Sequence, residues 1–122
     1  SFYKKSLNVG TLRAMAHLFE EILDPEFLSA ESREFLTSTL LKVETGKRRV
    51  SGGLSPHYNF AHKTGTQYQR VLDFGLLWNR ERPRRKPVLL LASTRGFRDT
   101  DTAEGILKRI GQTFTEARVL EV

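Results

Sequence analysis

Apolar positions recur with a helical period twice in the first third of the chain and then change to alternation. Leu12, Met15, Ala16, Phe19, Ile22 and Leu23 fall on one face of a helix. Thr11 stands where a hydroxyl can accept from the free N–H groups of the first turn. Asp24-Pro25 ends this helix, because proline disfavours helical geometry at the residue before it. A second helix is expected from Ser29, with Glu31 favourable in its first turn and Phe35, Leu36, Leu40 and Val43 as its apolar face. Thr45-Gly46 and Ser51-Gly52-Gly53 read as loops.

From Tyr58 the pattern reads as strand, over about Tyr58–Gln67, Arg70–Asn79 and Lys86–Thr94. In the middle strand Leu72, Phe74, Leu76 and Trp78 share one face, and Val71, Asp73, Gly75 and Leu77 share the other. Short connections imply an antiparallel meander. After Arg95-Gly96 a last helix is expected, capped by Asp99 or Asp101, with Ala103, Ile106, Leu107, Ile110, Phe114 and Ala117 on one face. The class is α+β: an antiparallel sheet of about three strands, with N-terminal helices and a covering C-terminal helix. One helix covers one sheet face; the two N-terminal helices or a missing segment must cover the other. The chain divides into a helical part, 1–57, and a sheet with its terminal helix, 58–122.

Composition narrows the picture only moderately. At 122 residues the chain suits one small domain. It has no cysteine, which excludes disulfides, and no apolar run approaching the roughly 20 residues of a membrane span. It begins with Ser1 rather than Met, which is compatible with a lost or absent upstream portion; no signal peptide is visible. The net charge of +6 is concentrated in Lys47-Arg48-Arg49 and in Arg80 to Lys86. The second cluster lies between two apolar strands and contains Pro83, so it reads as a solvated hairpin loop. No aromatic residues interleave with these charges, and the preferred reading is that nucleic acid is not a partner. The spacing of His17, His57 and His62 does not suit a metal, and no cofactor is expected.

The stretch that carries chemistry is Ala61-His62-Lys63-Thr64-Gly65-Thr66-Gln67, at the start of the first hairpin. It resembles the third signature motif of the penicillin-recognising serine hydrolases. Thr11-Leu12-Arg13-Ala14-Met15-Ala16-His17-Leu18 resembles a helix start of the class A β-lactamases, Leu28-Ser29-Ala30-Glu31-Ser32-Arg33 resembles their next helix start, and the blocks come in the family's order. The resemblance covers nearly the whole chain and implies the C-terminal part of such an enzyme, one that opens β-lactam amides through an acyl-serine intermediate. It implies that Lys63 projects into the cleft, that the Thr66 N–H points at the developing oxyanion, that Thr64 Oγ holds the substrate carboxylate, and that Gly65 lets the substrate lie against the strand. It implies a carboxylate-binding arginine too. Arg49 is the first choice by its distance upstream of Lys63; Arg70 is the second, on the next strand but out of register with Leu72, which occupies the family's position. A solvated Lys47-Arg48-Arg49 loop is the competing reading. Arg95 is a further candidate near the cleft. Departures from the family pattern are Leu12 in place of proline and His62 in place of aspartate.

The nucleophile is missing. Ser1-Phe2-Tyr3-Lys4 and Ser6-Leu7-Asn8 match the family's Ser-x-x-Lys and Ser-x-Asn literally, but they are adjacent, whereas in the family they lie tens of residues apart. Both are rejected as decoys, and Glu20 and Glu21 are assigned to a helix surface. The implied partners are a β-lactam or D-alanyl peptide-like small molecule and an N-terminal companion segment carrying Ser-x-x-Lys. The chain alone is expected to be inactive. A D-alanyl-D-alanine peptidase, a non-catalytic module of the same fold and a basic nucleic-acid binder are the rivals. By the resemblance, the protein is exported to the periplasm or beyond.

Overall fold

The computed structural model describes residues 10–121. Its elements are α1 (Leu12–Leu23), α2 (Ala30–Leu41), α3 (Val50–Gly53), β1 (Tyr58–Gln67), β2 (Arg70–Asn79), β3 (Val88–Arg95), α4 (Thr100–Ala117) and a closing 3-10 turn, Val119–Glu121. The Ser1-x-x-Lys4 and Ser6-x-Asn8 matches lie outside the described residues.

The helix starts follow from side-chain caps. Thr11 Oγ1 accepts from the Ala14 N–H at 3.0 Å and Ser29 Oγ from the Ser32 N–H at 3.1 Å. Of the two aspartates expected at the last helix, Asp99 is the cap, accepting from the Thr102 N–H at 2.7 Å and the Thr102 hydroxyl at 3.0 Å. β1 and β2 have the bounds expected from alternation. β3 starts at Val88 rather than Lys86, just after Pro87, which has no N–H to give a ladder.

α3 is a correction. Ser51-Gly52-Gly53 reads as a loop, yet it forms a turn of helix that packs on α4. The packing is close: a Cβ on Gly111 would lie 2.2 Å from the Val50 carbonyl oxygen. Backbone contact of this kind leaves no periodic apolar signal to read.

The sheet is antiparallel in the order β1-β2-β3, with Lys63 opposite Phe74, Gly65 opposite Leu72 and Arg70 opposite both Gln67 and Arg95. Both faces are covered. On one, Phe60, Val71, Leu77 and Leu90 meet Val50, Ala103 and Leu107, with Ile110 and Phe114 of α4 packed against them. On the other, Ala61, Phe74 and Leu76 meet Phe19, with Met15, Ile22 and Leu40 around them. Phe19 meets Phe74 edge-on, ring centroids 6.4 Å apart. The N-terminal helices therefore supply cover for the second face. Burying a side chain such as Leu77 or Leu107 contributes about 1.5–3 kcal/mol.

Four apolar side chains expected inward face out instead. Phe35 is 72% exposed, Ile106 49%, Leu12 46%, and Ala117 is exposed. α4 contacts the sheet through Ala103, Leu107, Ile110 and Phe114, α1 packs through Met15, Phe19, Ile22 and Leu23, and Leu36 and Leu40 of α2 are half-buried with Val43 just after it, so each misplaced residue lies just off the stripe.

The chain's end is tied back to the first strand. Tyr58 donates to Glu121 Oε1 at 3.1 Å, Arg118 Nε donates to Glu121 Oε2, and Asn79 donates to the Leu120 carbonyl. Hydrogen bonds from Arg118 and Tyr58 hold the Glu121 carboxyl below its ordinary range. The backbone and hydroxyl of Thr102 do the same for Asp99. Burial, followed by the Glu121 contact, raises the Tyr58 phenol.

Two outcomes are expected. Gly111→Ala should lower stability by about 1–3 kcal/mol in urea melts, because the added methyl forces α3 away from α4. Stability should also decline at both ends of the pH scale. Glu121 and Asp99 titrate lower when folded, so their contribution is complete above the ordinary carboxylate range and lost as pH falls through it. Tyr58 titrates higher when folded, so its contribution holds below the ordinary tyrosine value and is lost as pH rises past it. Thermal melts across pH should show Glu121→Gln weakening both arms.

Candidate active site

β1 is an edge strand, and the direction of its backbone groups follows from the register. The Gly96 N–H donates to the Gln69 carbonyl at 2.9 Å, which makes Gln69 and Gly96 a hydrogen-bonded pair at that end of the β2–β3 ladder. Hydrogen-bonded and non-hydrogen-bonded pairs alternate along an antiparallel ladder. Arg70 and Leu72 therefore turn their backbone groups toward β1, and Val71 and Asp73 turn theirs toward β3. Across the β1–β2 ladder, Thr66 opposite Val71 and Thr64 opposite Asp73 are then non-hydrogen-bonded pairs. The N–H groups of Thr64 and Thr66 consequently point away from β2, out along the open edge.

The side chains divide between the faces. Lys63 and Gly65 share the face of Phe74 and Leu72, the α1–α2 side. Thr64 and Thr66 share the face of Asp73 and Val71, the α4 side. Lys63 is exposed, and its Nζ donates to the Thr64 carbonyl at 2.7 Å, so the ammonium lies against the outward edge of its own strand. The bare backbone of Gly65 also lets Leu72 close over it: a Cβ there would sit 2.9 Å from Leu72 Cγ. Alternation thus persists through the motif, with the charge on one side and the hydroxyls on the other.

Arg49 is not a solvated loop residue. It is buried, and its guanidinium lies on the α4 side of the motif strand. Nε donates to Glu104 Oε2 at 3.1 Å, one terminal nitrogen donates to the Gly65 and Leu72 carbonyls at 3.0 and 3.1 Å, and the other donates to Thr66 Oγ1 at 2.7 Å. Its neighbour Arg48 does sit in solvent, paired with Asp101 at 3.2 Å. One cluster thus contains one structural arginine and one surface arginine. Arg70 is exposed and lies beside Gln67, beyond the motif toward the hairpin tip; Leu72 holds the position opposite Gly65. Arg95 sits opposite Arg70 at the far edge. The fold brings Arg49 to Gly65 and Thr66 of the motif strand, and leaves Arg70 and Arg95 aside.

Two participants were not singled out in the sequence for the contacts they make. Thr45, read only as part of a loop, places its hydroxyl 2.7 Å from that of Thr64. His62 is buried under the strand, stacked on Phe60 with centroids 4.7 Å apart, and its Nδ1 lies 2.6 Å from Asp73 Oδ1. Asp73 is fully buried, and its Oδ2 has no protein partner among the described residues. Alternation alone predicts that Asp73 faces inward, which was the available signal for a buried polar pair. His17 and His57 lie on the surface beside Glu20 and Glu81, and Glu20 and Glu21 are exposed, as expected. A cavity of about 140 Å³ lies at the opposite end of the sheet, by Trp78, Asn79 and Leu120, away from the motif.

This edge carries outward N–H groups, two hydroxyls and an ammonium, but among the described residues it presents no serine beside a lysine. A family model described as "Beta-lactamase enzyme family" matches residues 1–117. The chain belongs to that family. No curated protein matches it by sequence. Among solved structures, it resembles a β-lactamase from Xanthomonas campestris pv. campestris, at 26% identity and a TM-score of 0.79, over 88% of this chain and 40% of that one. It also resembles an ancestral class A β-lactamase of Gram-negative bacteria (28%, 0.76, over 88% and 41%) and the β-lactamase of Streptomyces albus G (25%, 0.71, over 86% and 39%). The chain thus spans about two fifths of the length of these β-lactamase structures. No described helix is long and apolar enough to cross a membrane.

Arg49→Ala should destabilise the chain by about 3 kcal/mol in denaturant melts, since it strands the Glu104 carboxylate behind the strand. Asp73→Ala should cost about 1–3 kcal/mol by the same measurement, because it leaves His62 Nδ1 buried without a partner.

Proposed function

We propose that this chain is the C-terminal part of a β-lactamase-like serine hydrolase, in which it forms the substrate-holding wall and a companion segment supplies the nucleophile. The observation that carries the reading is the outward Thr66 N–H on an open strand edge that also bears the Lys63 ammonium. In the proposed reaction a serine Oγ attacks the β-lactam carbonyl and the carbonyl oxygen becomes negative. The Thr66 N–H donates to that oxygen, acting where charge develops. The C–N bond then breaks, the serine's proton passes to the departing nitrogen, and water later cleaves the acyl-serine ester to release the acid and restore the serine. Lys63 keeps the proton-transfer region electropositive. Thr64 and Thr66, backed by Arg49, hold the substrate's carboxylate, and Gly65 admits it to the strand. Arg70 is left without a role at the reacting centre. By family resemblance, the protein works in the periplasm or outside the cell.

Nitrocefin hydrolysis tests the reading. Chain 1–122 alone should show no turnover; joined to a segment bearing Ser-x-x-Lys and Ser-x-Asn, it should hydrolyse. Lys63→Ala in the joined protein should lower kcat/KM by about 100-fold or more. Penicillin acylation with very slow release would favour a D-alanyl-D-alanine peptidase instead. Unchanged function on Lys63→Ala would favour a non-catalytic module. Turnover by 1–122 alone, abolished by Ser1→Ala, would place the nucleophile at Ser1.

A further inference from the structure

We propose that the Thr45–Arg49 segment sets the donor direction of both motif hydroxyls, with Thr45 a positioning residue for Thr64 as Arg49 is for Thr66. The inference rests on the carboxylate-binding role given above to Thr64 and Thr66. It begins from what each group can do. A guanidinium has only donors, so at 2.7 Å from Arg49 the Thr66 oxygen must accept. The single hydroxyl proton of Thr66 is then directed elsewhere.

At Thr64 the neighbouring group is another hydroxyl, 2.7 Å away, and either oxygen can donate. A carboxylate breaks this symmetry because it only accepts. When it lies on Thr64, Thr64 must give it the proton, and Thr45 must donate to Thr64. A valine at 45 would have the same shape but would remove this donor.

The turn that carries Thr45 is built to hold this geometry. Gly46 has φ +79°, a conformation glycine adopts at little cost. A Cβ on it would lie 2.6 Å from Thr64 Cγ2 and 3.5 Å from His62 Cε1. The bare backbone therefore lies close over the Thr64 methyl and beside the His62 ring, which limits the rotamers open to Thr64. Three residues on, Arg49 anchors the segment to the Gly65 and Leu72 carbonyls and to Glu104. Thr64 and Thr66 are two apart on one face of a strand, roughly 6.6 Å along it. One carboxylate can bridge them, each oxygen taking one hydroxyl at roughly 2.6 Å. The segment thus readies a two-point clamp for an anion.

The test compares benzylpenicillin with its methyl ester, which keeps the β-lactam and removes the charge. In the complete enzyme, Thr45→Val should raise KM for the acid about tenfold, leave kcat within about twofold and leave the ester unaffected. Thr45→Ser should restore the acid's KM. Equal losses on acid and ester, or no change in KM for the acid, would overturn the proposal. Amide shifts of Thr64 and Thr66 in chain 1–122, titrated with the same two compounds, give a readout without turnover: Thr45→Val should weaken only the acid. Absence of acylation in the unsubstituted complete enzyme would sink the hydrolase reading by itself, while the titration still decides the direction of the hydroxyls.

Discussion

The Arg49 guanidinium is the point on which the motif region depends. It reaches three separate parts of the fold at once: Glu104 in the first turns of α4, the Gly65 and Leu72 carbonyls of two paired strands, and the Thr66 hydroxyl. Arginine suits this position because its planar, rigid fork presents five donors, and a lysine in its place would offer a single point charge. The pairing with Glu104 makes burial of the charge tolerable, since an isolated buried ion would be very costly. Without it, the polar ties among the segment before β1, the motif strand and the last helix would be reduced to separate pairs such as Thr45–Thr64 and Arg48–Asp101.

Around that anchor the packing is unusually dependent on backbone contact. α3 meets α4 through Gly111, Leu72 fills the space over Gly65, and the Gly46 turn lies on Thr64. In each case the absent side chain lets a neighbouring element reach a position that sets the motif. Apolar burial on both faces then fixes the register: a slip of one residue would exchange the α4 side for the α1–α2 side along the whole strand. In the function we propose, that register matters because it decides which N–H groups of β1 point to the open edge and which are spent on β2.

The site is consequently one wall. Buried contacts from Arg49 fix Thr66 and the strand, while the Lys63 ammonium lies exposed on the outward edge; in our proposal this arrangement stabilises a developing oxyanion. The reacting nucleophile belongs, in our proposal, to the portion of the protein that the related structures have and this chain does not span. The wall itself shows how far the preparation goes: the two hydroxyls, the outward N–H and the ammonium are oriented within one strand and one preceding segment.

The sequence by itself determined the class of the fold, the helix starts at Thr11 and Ser29, the bounds of β1 and β2, and the division of β2 into two faces, and it narrowed the last helix cap to Asp99 or Asp101. All of these rest on local chemistry or on short periods. It also pointed to Lys63, Thr64, Gly65 and Thr66 as a group, and it placed Arg49 first among the arginines by resemblance. It left open whether Arg49 was buried or solvated, because adjacent Arg48 and Arg49 carry the same local signal and only contact with Glu104 and the strand carbonyls separates them. It read α3 as a loop, since glycine contacts with a helix some 60 residues later leave no trace in local spacing. Thr45 and the His62–Asp73 pair likewise acquired meaning only when the tertiary structure brought distant positions together. The identity of the chemistry lies in a local motif, whereas the orientation of its groups comes from long-range packing that no single segment encodes.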